Sequence, residues 1–238
     1  WWLKNNELPP GLQSRVNKEL IFEVDENVIK RRGGKQLVLK DYYILNQDNS
    51  QLILHVVFDP ADPHGTVNIT ETTEDPPALD KSALDKYSTT LGNQVFQIAS
   101  RLVNQSIKEP LVTHILSQIG GVLKPVGLRS YGAVIYTNSN NTEVHQADDF
   151  KPGDVIAINK AKFQGHNKLH QKIIYEVGNS GAPFAAIITE YDENKRKFRV
   201  IEADANGKVK HSSYKPSDMK SGKIKVFRVV SRDFVNWN

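Results

Sequence analysis

Polar and apolar residues alternate along the first part of the chain in the way that half-buried β-strands require. The pattern predicts strands over residues 19–26, 35–46 and 50–59, each rich in β-branched, leucine or aromatic residues. Short runs with Gly, Asp or Asn separate them, at residues 32–35 and 47–49. Because Gly and Asn tolerate positive φ, these runs are typical of hairpin turns. We therefore expect an antiparallel β-meander.

The pattern changes after this meander. Residues 59–77 are acidic and rich in Pro and Thr, which predicts a surface loop or a joint before the next unit. From residue 79 to 123, apolar residues recur every three or four positions, as on one face of a helix. The proline-containing break at 108–110 and the pair Gly120-Gly121 divide this stretch. We expect two helices.

Strand-like segments return in the second half of the chain, at residues 154–159, 172–177, 185–192, 197–202 and 223–229. The segment 127–136 has a glycine-bearing turn before an apolar run that fits either a helix or a strand. The whole pattern predicts an α+β fold. We expect residues 1–78 to hold a tryptophan segment and the β-meander, and residues 79–238 to hold the helical layer and a second sheet. Both parts are expected to form one integrated domain.

Composition narrows the possible chemistry. Cysteine is absent from the 238 residues, which excludes a disulfide framework and a cysteine nucleophile and fits an intracellular protein. The net charge of +4, with acids interleaved, does not indicate nucleic-acid binding but allows a weak contact with an anionic membrane. No glycine-rich nucleotide motif occurs, and we expect no cofactor. Met219 is the only methionine, so we expect a domain of a longer protein.

Two kinds of surface segment allow more than one interpretation. The basic runs at residues 30–32 and 195–197 lie in predicted hairpin turns. They are either ordinary solvated turns or the contacts of a phosphoinositide-binding module. Trp1 and Trp2 precede a Pro-Pro-Gly break and are expected to fold back over a groove of the protein, although an exposed partner site is the alternative.

None of the candidate reactive side chains lies in a local sequence motif that strongly indicates catalysis or metal binding. His166 and His170 are four residues apart, but glycine and asparagine interrupt the helix that a metal pair would need, and no acidic third ligand is placed. We expect structural histidines and no metal. Ser130 lies in LRSYG, which lacks the Gly-x-Ser-x-Gly pattern of a nucleophile elbow. An ordinary turn serine is the simpler interpretation.

The order of three segments in the second half nevertheless resembles that of the papain-like NlpC and CHAP cysteine peptidases and amidases. SYGAVIY, which starts at Ser130, looks like the start of the nucleophile-bearing helix. FKPGDVI, residues 150–156, looks like the Pro-Gly-Asp step into the first barrel strand. FAAIITEY from Phe184, with FRVIE ending at Glu202, looks like the hairpin that opens with the general-base histidine. The resemblance implies helices packed on an antiparallel, barrel-like sheet.

The catalytic residues of that superfamily do not carry over. The cysteine position falls on Ser130 and the histidine position on Phe184, while Glu202 stands where a polar orienting residue would lie. A phenylalanine cannot accept a proton, and a serine without a base stays a protonated alcohol. His166 and His170 are the candidates for a substitute base. The resemblance implies a pseudoenzyme, with Ser130, Phe184 and Glu202 as vestigial positions.

A narrower resemblance covers nearly the whole chain. The segments that carry it are WWLKNNELPPGL, LIFEVDE, LRSYGAVIY, DDFKPGDVIAINKAKFQGH and KIKVFRVVSRDFVNW. They look like the C-terminal domain of fungal cortical actin-patch proteins with an SH3 domain elsewhere in the chain. That family binds type I myosin and restrains the WASP-type activator of Arp2/3 during endocytosis. The resemblance implies these partners, and a cytoplasmic place at the cortical actin patch, for the full-length protein.

Three functions stay open at this point. The first is a non-catalytic interaction domain whose former cleft binds a partner peptide, or is filled by Trp1 and Trp2. The second is an active peptidase or amidase that uses Ser130 with His166 or His170. The third is a phosphoinositide-binding module.

Overall fold

The computed structural model describes residues 1–4, 6–166, 171–179 and 181–237, with only the backbone at Arg32 and His166. The chain divides into two units, Trp1–Pro77 and Ala78–Asn238. Each unit has its own antiparallel sheet, and the helices of more than one turn belong to the second, which gives an α+β fold. None of the described helices is long and apolar enough to cross a membrane. Whether the units form one integrated domain stays a prediction.

The first unit is a four-stranded meander in the order β1-β2-β3-β4. Its elements are α1 (Pro10–Gln13), β1 (Leu20–Lys30), β2 (Gln36–Asn46), β3 (Gln51–Phe58), α2 (Pro63–Thr66) and β4 (Asn68–Glu74). The three predicted strands and both hairpins are confirmed. Both connecting turns use positive φ, at Gly33 (83°), Gly34 (78°) and Asn49 (68°). Leu20, Tyr42 and Val56 are fully buried in its core.

The prediction of a loop or joint over residues 59–77 is confirmed at its end, since the boundary between the two units follows Pro77, but it is wrong for the middle of the segment. This segment contains the short helix α2 and the strand β4, which pairs with β3 from Gln51↔Glu74 to Val57↔Asn68. Every residue of β4 is exposed, so the apolar alternation that marks a half-buried strand is missing from its sequence. The backbone pairing with β3, rather than burial of side chains, places this edge strand.

The two N-terminal tryptophans fold back onto the core of the meander. The Trp1 and Tyr42 ring centroids are 5.2 Å apart, and the rings meet edge to face. Trp2 meets the His64 ring at 5.5 Å and the Trp1 ring at 5.8 Å. The groove covered by these side chains is therefore one of the first unit.

The second unit combines helices with an eight-stranded sheet. The helices are α3 (Lys81–Tyr87), which continues through a π turn (Ser88–Gly92) into α4 (Asn93–Leu102), and α5 (Leu111–Leu116). The strands are β5 (Ala133–Ser139), β6 (Glu143–Gln146), β7 (Val155–His166), β8 (Lys172–Val177), β9 (Phe184–Asp192), β10 (Lys197–Ala203), β11 (Val209–Tyr214) and β12 (Met219–Arg228). The predicted interruption near Pro110 is confirmed, although α5 ends before the glycine pair.

The sheet order is β11-β10-β9-β7-β12-β5-β6, with β8 paired to β7. This order runs from β11 to β6, and barrel-like closure stays a prediction. The helices α4 and α5 both pack against β9. The residues that follow Ser130 form the strand β5, so the expectation of a helix start there is wrong. Ala133 pairs with Arg228 of β12, and this long-range ladder selects the extended conformation.

Candidate functional site

A cleft of about 560 Å³ lies in the second unit beside Phe184. Four segments line it: the residues that lead into α5, the turn before β5, the start of β9 and the turn after β10. The lining residues are Ile107, Lys108, Glu109, Pro110, Leu111, Val112, Leu128, Tyr131, Pro183, Phe184, Ala185, Ala203, Asp204, Ala205, Asn206 and Gly207. Polar and apolar groups contribute similar shares of the walls, and the charged groups come from the α5 approach and the turn after β10.

Backbone hydrogen bonds hold two of these segments together. Asn104 N–H donates to the Val209 carbonyl at 2.9 Å, and Ile107 N–H donates to the Gly207 carbonyl at 3.0 Å. Gly207 has φ of 77°, and a Cβ there would lie 2.1 Å from the Ile107 oxygen. Only glycine permits this close approach. The approach to α5 is therefore fixed against the end of the β10–β11 hairpin.

Phe184 begins β9 and packs against the ring of Tyr214, with 5.7 Å between centroids. The Tyr214 hydroxyl donates to Glu202 Oε2 at 2.7 Å, and both side chains are buried. Burial raises the pKa of Tyr214, and the hydrogen bond and charge of Glu202 raise it further. Lys210 Nζ lies 3.9 Å from the other carboxylate oxygen, Oε1 of Glu202. Glu202 thus supports Tyr214, and Tyr214 in turn supports Phe184.

Ser130 does not line this cleft, although Leu128 and Tyr131 on either side of it do. Its side chain is 1% exposed, and its Oγ has no hydrogen-bond partner among the described residues. A serine nucleophile needs a base that accepts its proton. Within the described ranges, nothing performs that role for Ser130.

The helix start that shares the cleft with Phe184 belongs to α5, at Leu111 and Val112. Sequence reasoning placed the helix start at Ser130 and overlooked these residues. The available signal was Pro110, since proline is favoured just before or at the first helical position and the apolar repeat resumes after it. Both Leu111 and Val112 are buried and apolar, so neither offers a nucleophile.

The two histidine candidates lie at the edge of what the structure describes. His166 ends β7, but its side chain is outside the described residues, and so is His170. Within the described ranges, no three His, Asp or Glu side chains are grouped closely enough to hold a metal ion. The histidine roles therefore stay predictions.

The Pro-Gly-Asp step before β7 forms a second polar centre, which is structural. Arg228 Nε donates to Asp154 Oδ1 at 2.6 Å, and Nη2 donates to Oδ2 at 3.2 Å. Arg228 Nη1 also donates to Asp148 Oδ2 and to the Leu84 carbonyl, each at 3.0 Å. Nη2 reaches the Asp149 carbonyl at 2.9 Å. Arg228 is fully buried and joins β12, α3 and the approach to β7.

The charges in this centre compensate one another. Burial raises the pKa of the Asp154 carboxyl to about 6, against the hydrogen bonds and charge of Arg228, which lower it. Burial acts to lower the pKa of Arg228, but the two aspartates outweigh it and the net shift is upward. At neutral pH the group is therefore an ionised, hydrogen-bonded cluster, as buried charges require.

The backbone conformation and close packing at position 153 explain why a glycine precedes Asp154. Its φ is 91°, and a Cβ there would lie 2.0 Å from the Gly92 carbonyl oxygen. The step can therefore pack against the end of the π turn only because position 153 lacks a side chain. The Pro-Gly-Asp motif works here as a joint between the helices and the sheet.

Comparisons with known proteins agree with this architecture. Residues 70–238 match the family described as the AIM3/BBC1 cysteine proteinase-fold domain. An SH3 domain-containing protein of Schizosaccharomyces pombe is 32% identical over 248 aligned residues that include all of this chain. The chain spans 15% of the length of that relative. No solved structure matches the chain. Since the family match covers well over half of the residues, the chain belongs to the AIM3/BBC1 cysteine proteinase-fold domain family.

Proposed function

We propose that this chain is a non-catalytic protein-interaction domain of a cortical actin-patch adaptor that acts in actin assembly and endocytosis. The observation that carries the proposal is Phe184. It stands at the position where the resemblance to papain-like enzymes expects the general base, and its ring packs on Tyr214 in the cleft. A phenyl ring accepts no proton and instead offers an apolar surface.

The opposite wall of the cleft supports the same interpretation. The start of α5 contributes Leu111 and Val112 to the same cleft, and neither side chain can act as a nucleophile. The carboxylate of Glu202, the third vestigial residue, accepts a hydrogen bond from the Tyr214 hydroxyl and lies near the Lys210 ammonium group. We therefore infer a pseudoenzyme in which the scaffold has been retained and the reactive groups replaced.

The cleft has the dimensions and chemistry of a peptide-binding site. Its volume of about 560 Å³ accommodates a few side chains, and its walls combine apolar surface with polar groups. Lys108, Glu109 and Asp204 supply charges of both signs that would orient a bound peptide.

The cellular role rests on the relatives. The matching Schizosaccharomyces pombe protein is named for an SH3 domain, which is a peptide-recognition module. We infer that the full-length protein is likewise an adaptor, with type I myosin and the WASP-type Arp2/3 activator as partners at the cytoplasmic cortical actin patch. The present domain would add a second contact to those of the SH3 region.

The experiment is affinity capture from fungal cell extract with the wild-type chain and a Leu128→Arg variant. Leu128 lies in the cleft wall and is half-buried, so an arginine there obstructs the cleft. Ile174→Arg on β8 is the matched control, because Ile174 is 55% exposed and lies outside the cleft. We expect wild type and Ile174→Arg to enrich actin-patch proteins and Leu128→Arg to lose them. Equal enrichment by all three chains would contradict the cleft as the binding site.

The hydrolase alternative has a separate test. The purified chain is assayed against peptide and amide substrates beside its Ser130→Ala variant. We expect no turnover by either, because Ser130 Oγ is buried without a described base. A wild-type activity that disappears in Ser130→Ala would establish an enzyme instead.

A further inference from the structure

The end of the β1–β2 hairpin extends beyond the rest of the first sheet. The β2–β3 ladder begins at Val38↔Phe58, whereas β1 and β2 continue through Ile29↔Leu37 to Lys30↔Gln36. Arg31 N–H then donates to the Lys35 carbonyl at 2.8 Å and closes the turn. We refer to residues 28–37 as the hairpin tip. Nearly all of it has one neighbouring strand instead of two.

The hairpin tip carries exposed apolar side chains on both of its faces. Val28 is 45% exposed and Ile29 is 42% exposed. Val28 lies opposite Val38, a core residue, so it shares the core face of the sheet. Ile29 is the next residue in the strand and points to the other face. Single exposed apolar residues are common, but two on opposite faces of a projecting end are a distinct arrangement.

The cations of the hairpin tip differ from the other cations of the first unit. Lys4, Arg15 and Lys40 pair with Glu7, Glu19 and Glu26 at 3.0, 2.7 and 2.9 Å. Lys18 Nζ donates to the Ser14 carbonyl. By contrast, Lys30, Arg31 and Lys35 are exposed and have no acidic group within ion-pair distance in the described part of the chain. Apart from Lys18, the described cations of this unit that lack an acidic partner therefore gather at one end of its sheet.

We propose that the hairpin tip docks on the anionic lipid surface of a membrane. Lys30, Arg31 and Lys35 contact the headgroups, and Val28 and Ile29 enter the interfacial layer. A membrane suits the tip better than a protein groove does, because a bilayer interface surrounds an inserted tip and takes up apolar groups from both faces. A protein surface would cover one face and leave the other in water. This proposal does not depend on the cleft.

The second basic turn provides the matched control. Lys195 lies 3.9 Å from Asp192, and Arg199 lies within ion-pair distance of both Glu190 and Asp192. These acids compensate Lys195 and Arg199 locally, and Asp192 also lies directly opposite Lys197 in the β9–β10 ladder. The two basic turns thus have similar sequences but different surroundings, and the proposal assigns lipid binding to the first alone.

The test is co-sedimentation of the full chain with phosphatidylcholine vesicles, with and without phosphatidylserine. Four proteins are compared: wild type, Arg31→Glu with Lys35→Glu, Val28→Ser with Ile29→Ser, and Lys195→Glu with Lys197→Glu. Circular dichroism checks that each variant keeps the wild-type fold, as expected for positions at a projecting turn. Polyglutamate in solution serves as an acidic polypeptide competitor.

We expect wild type to sediment with phosphatidylserine vesicles and to stay in solution with phosphatidylcholine alone. The Arg31/Lys35 double variant should bind at least tenfold more weakly, since each basic residue near an anionic surface contributes about fivefold. The Val28/Ile29 double variant should bind several times more weakly, and the Lys195/Lys197 control should bind like wild type. Phosphatidylinositol 4,5-bisphosphate at matched charge should bind no more tightly, because the cations are open and form no pocket.

Several results would overturn the proposal. They are the absence of binding to anionic vesicles, equal binding by wild type and the Arg31/Lys35 variant, and an equal loss in the control. A strict requirement for phosphatidylinositol 4,5-bisphosphate would show a specific headgroup site instead. Binding of polyglutamate without binding of vesicles would assign the hairpin tip to an acidic protein.

Discussion

The Pro-Gly-Asp step and the cleft beside Phe184 adjoin strands of the same sheet, but they differ in the polarity of their side chains. At the step, Asp154 and Asp148 both pair with the buried Arg228. In the cleft, Phe184 faces a region whose α5 wall is formed by Leu111 and Val112. The first site is polar and satisfied by hydrogen bonds, whereas Phe184, Leu111 and Val112 give the second site an apolar part.

This difference shows which parts of an enzyme-like scaffold can change. The buried charges at the step hold together α3, β7 and β12, and losing one partner leaves the others uncompensated. If reactive side chains once stood in the cleft, as the proposed function implies, they held no such joint, and apolar residues in their place would cost the fold little. Substitutions at the joint are therefore expected to affect stability more than substitutions of cleft residues.

The largest expected effect is at the polar joint. Arg228→Ala removes the partner of Asp154 and Asp148 and leaves both carboxyl groups buried. We expect a loss of about 3 to 5 kcal/mol in the free energy of unfolding. Urea denaturation of wild type and variant at neutral pH measures it. A loss below about 1 kcal/mol would show that the network contributes little, and the contrast with the cleft would fail.

The glycine of the step should come next. Gly153→Ala places a methyl group against the Gly92 carbonyl at a residue with φ of 91°. Strain and overpacking together should cost about 2 to 4 kcal/mol. Gly120→Ala is the matched control, since nothing lies within 4 Å of its added Cβ, and it should change stability by less than about 0.5 kcal/mol. Thermal melts of the three chains compare them, and equal shifts would contradict a role for close packing at Gly153.

The pH dependence of stability can show whether the Tyr131 phenol is buried in the cleft wall. Burial raises the pKa of Tyr131 to about 12, above its value of about 10 in an unfolded chain. Below pH 10 the contribution of this group to stability is complete, because both states hold the proton. As the pH rises from 10 through 12, the unfolded state loses the proton first, and this contribution disappears.

At pH 11 the loss caused by Tyr131 should be about 1.4 kcal/mol. Tyr131→Phe cannot ionise, so its unfolding free energy should fall less between pH 8 and pH 11 than that of wild type. Urea denaturation at both pH values measures the difference. Identical pH dependence in the two proteins would show that the Tyr131 phenol is solvated in the folded state.

The smallest effect is expected at Ser130. Its buried hydroxyl makes no hydrogen bond to a described residue, so Ser130→Ala removes no interaction that the structure contains. We expect the free energy of unfolding to change by less than about 0.5 kcal/mol. Urea denaturation measures this change, and the loss in the Arg228→Ala variant serves as the reference for a large effect. A loss above about 1 kcal/mol would reveal a partner for Ser130 and reopen its role.

Sequence patterns predicted the first sheet well but parts of the second unit poorly. β1, β2 and β3 alternate polar and apolar residues, and their turns contain Gly or Asn, so local rules were sufficient. β4 and β11 were overlooked because their residues are largely polar and their position depends on one paired neighbour. The helix start implied at Ser130 was wrong because the β5–β12 ladder, with nearly a hundred residues between its partners, decides that conformation.

The candidate site was predicted in part. Phe184 was identified through the resemblance to papain-like enzymes, as the position of their general base, and the structure puts it in a cleft. The α5 residues on the opposite wall were not identified, because nothing local connects position 111 with position 184. The hydrogen bond between Tyr214 and Glu202 could not be predicted from the sequence either, since it depends on the register of β10 and β11.

The sequence by itself determined the meander, the helical interruption at Pro110 and the absence of a cysteine nucleophile, since these follow from short-range pattern and composition. Only the tertiary structure decided that Asp154 serves Arg228, 74 residues away, and that the start of α5 meets Phe184 across a cleft. Local propensities act between near neighbours, whereas buried ion pairs and cleft walls form where distant segments pack, and that packing exists only in the folded chain.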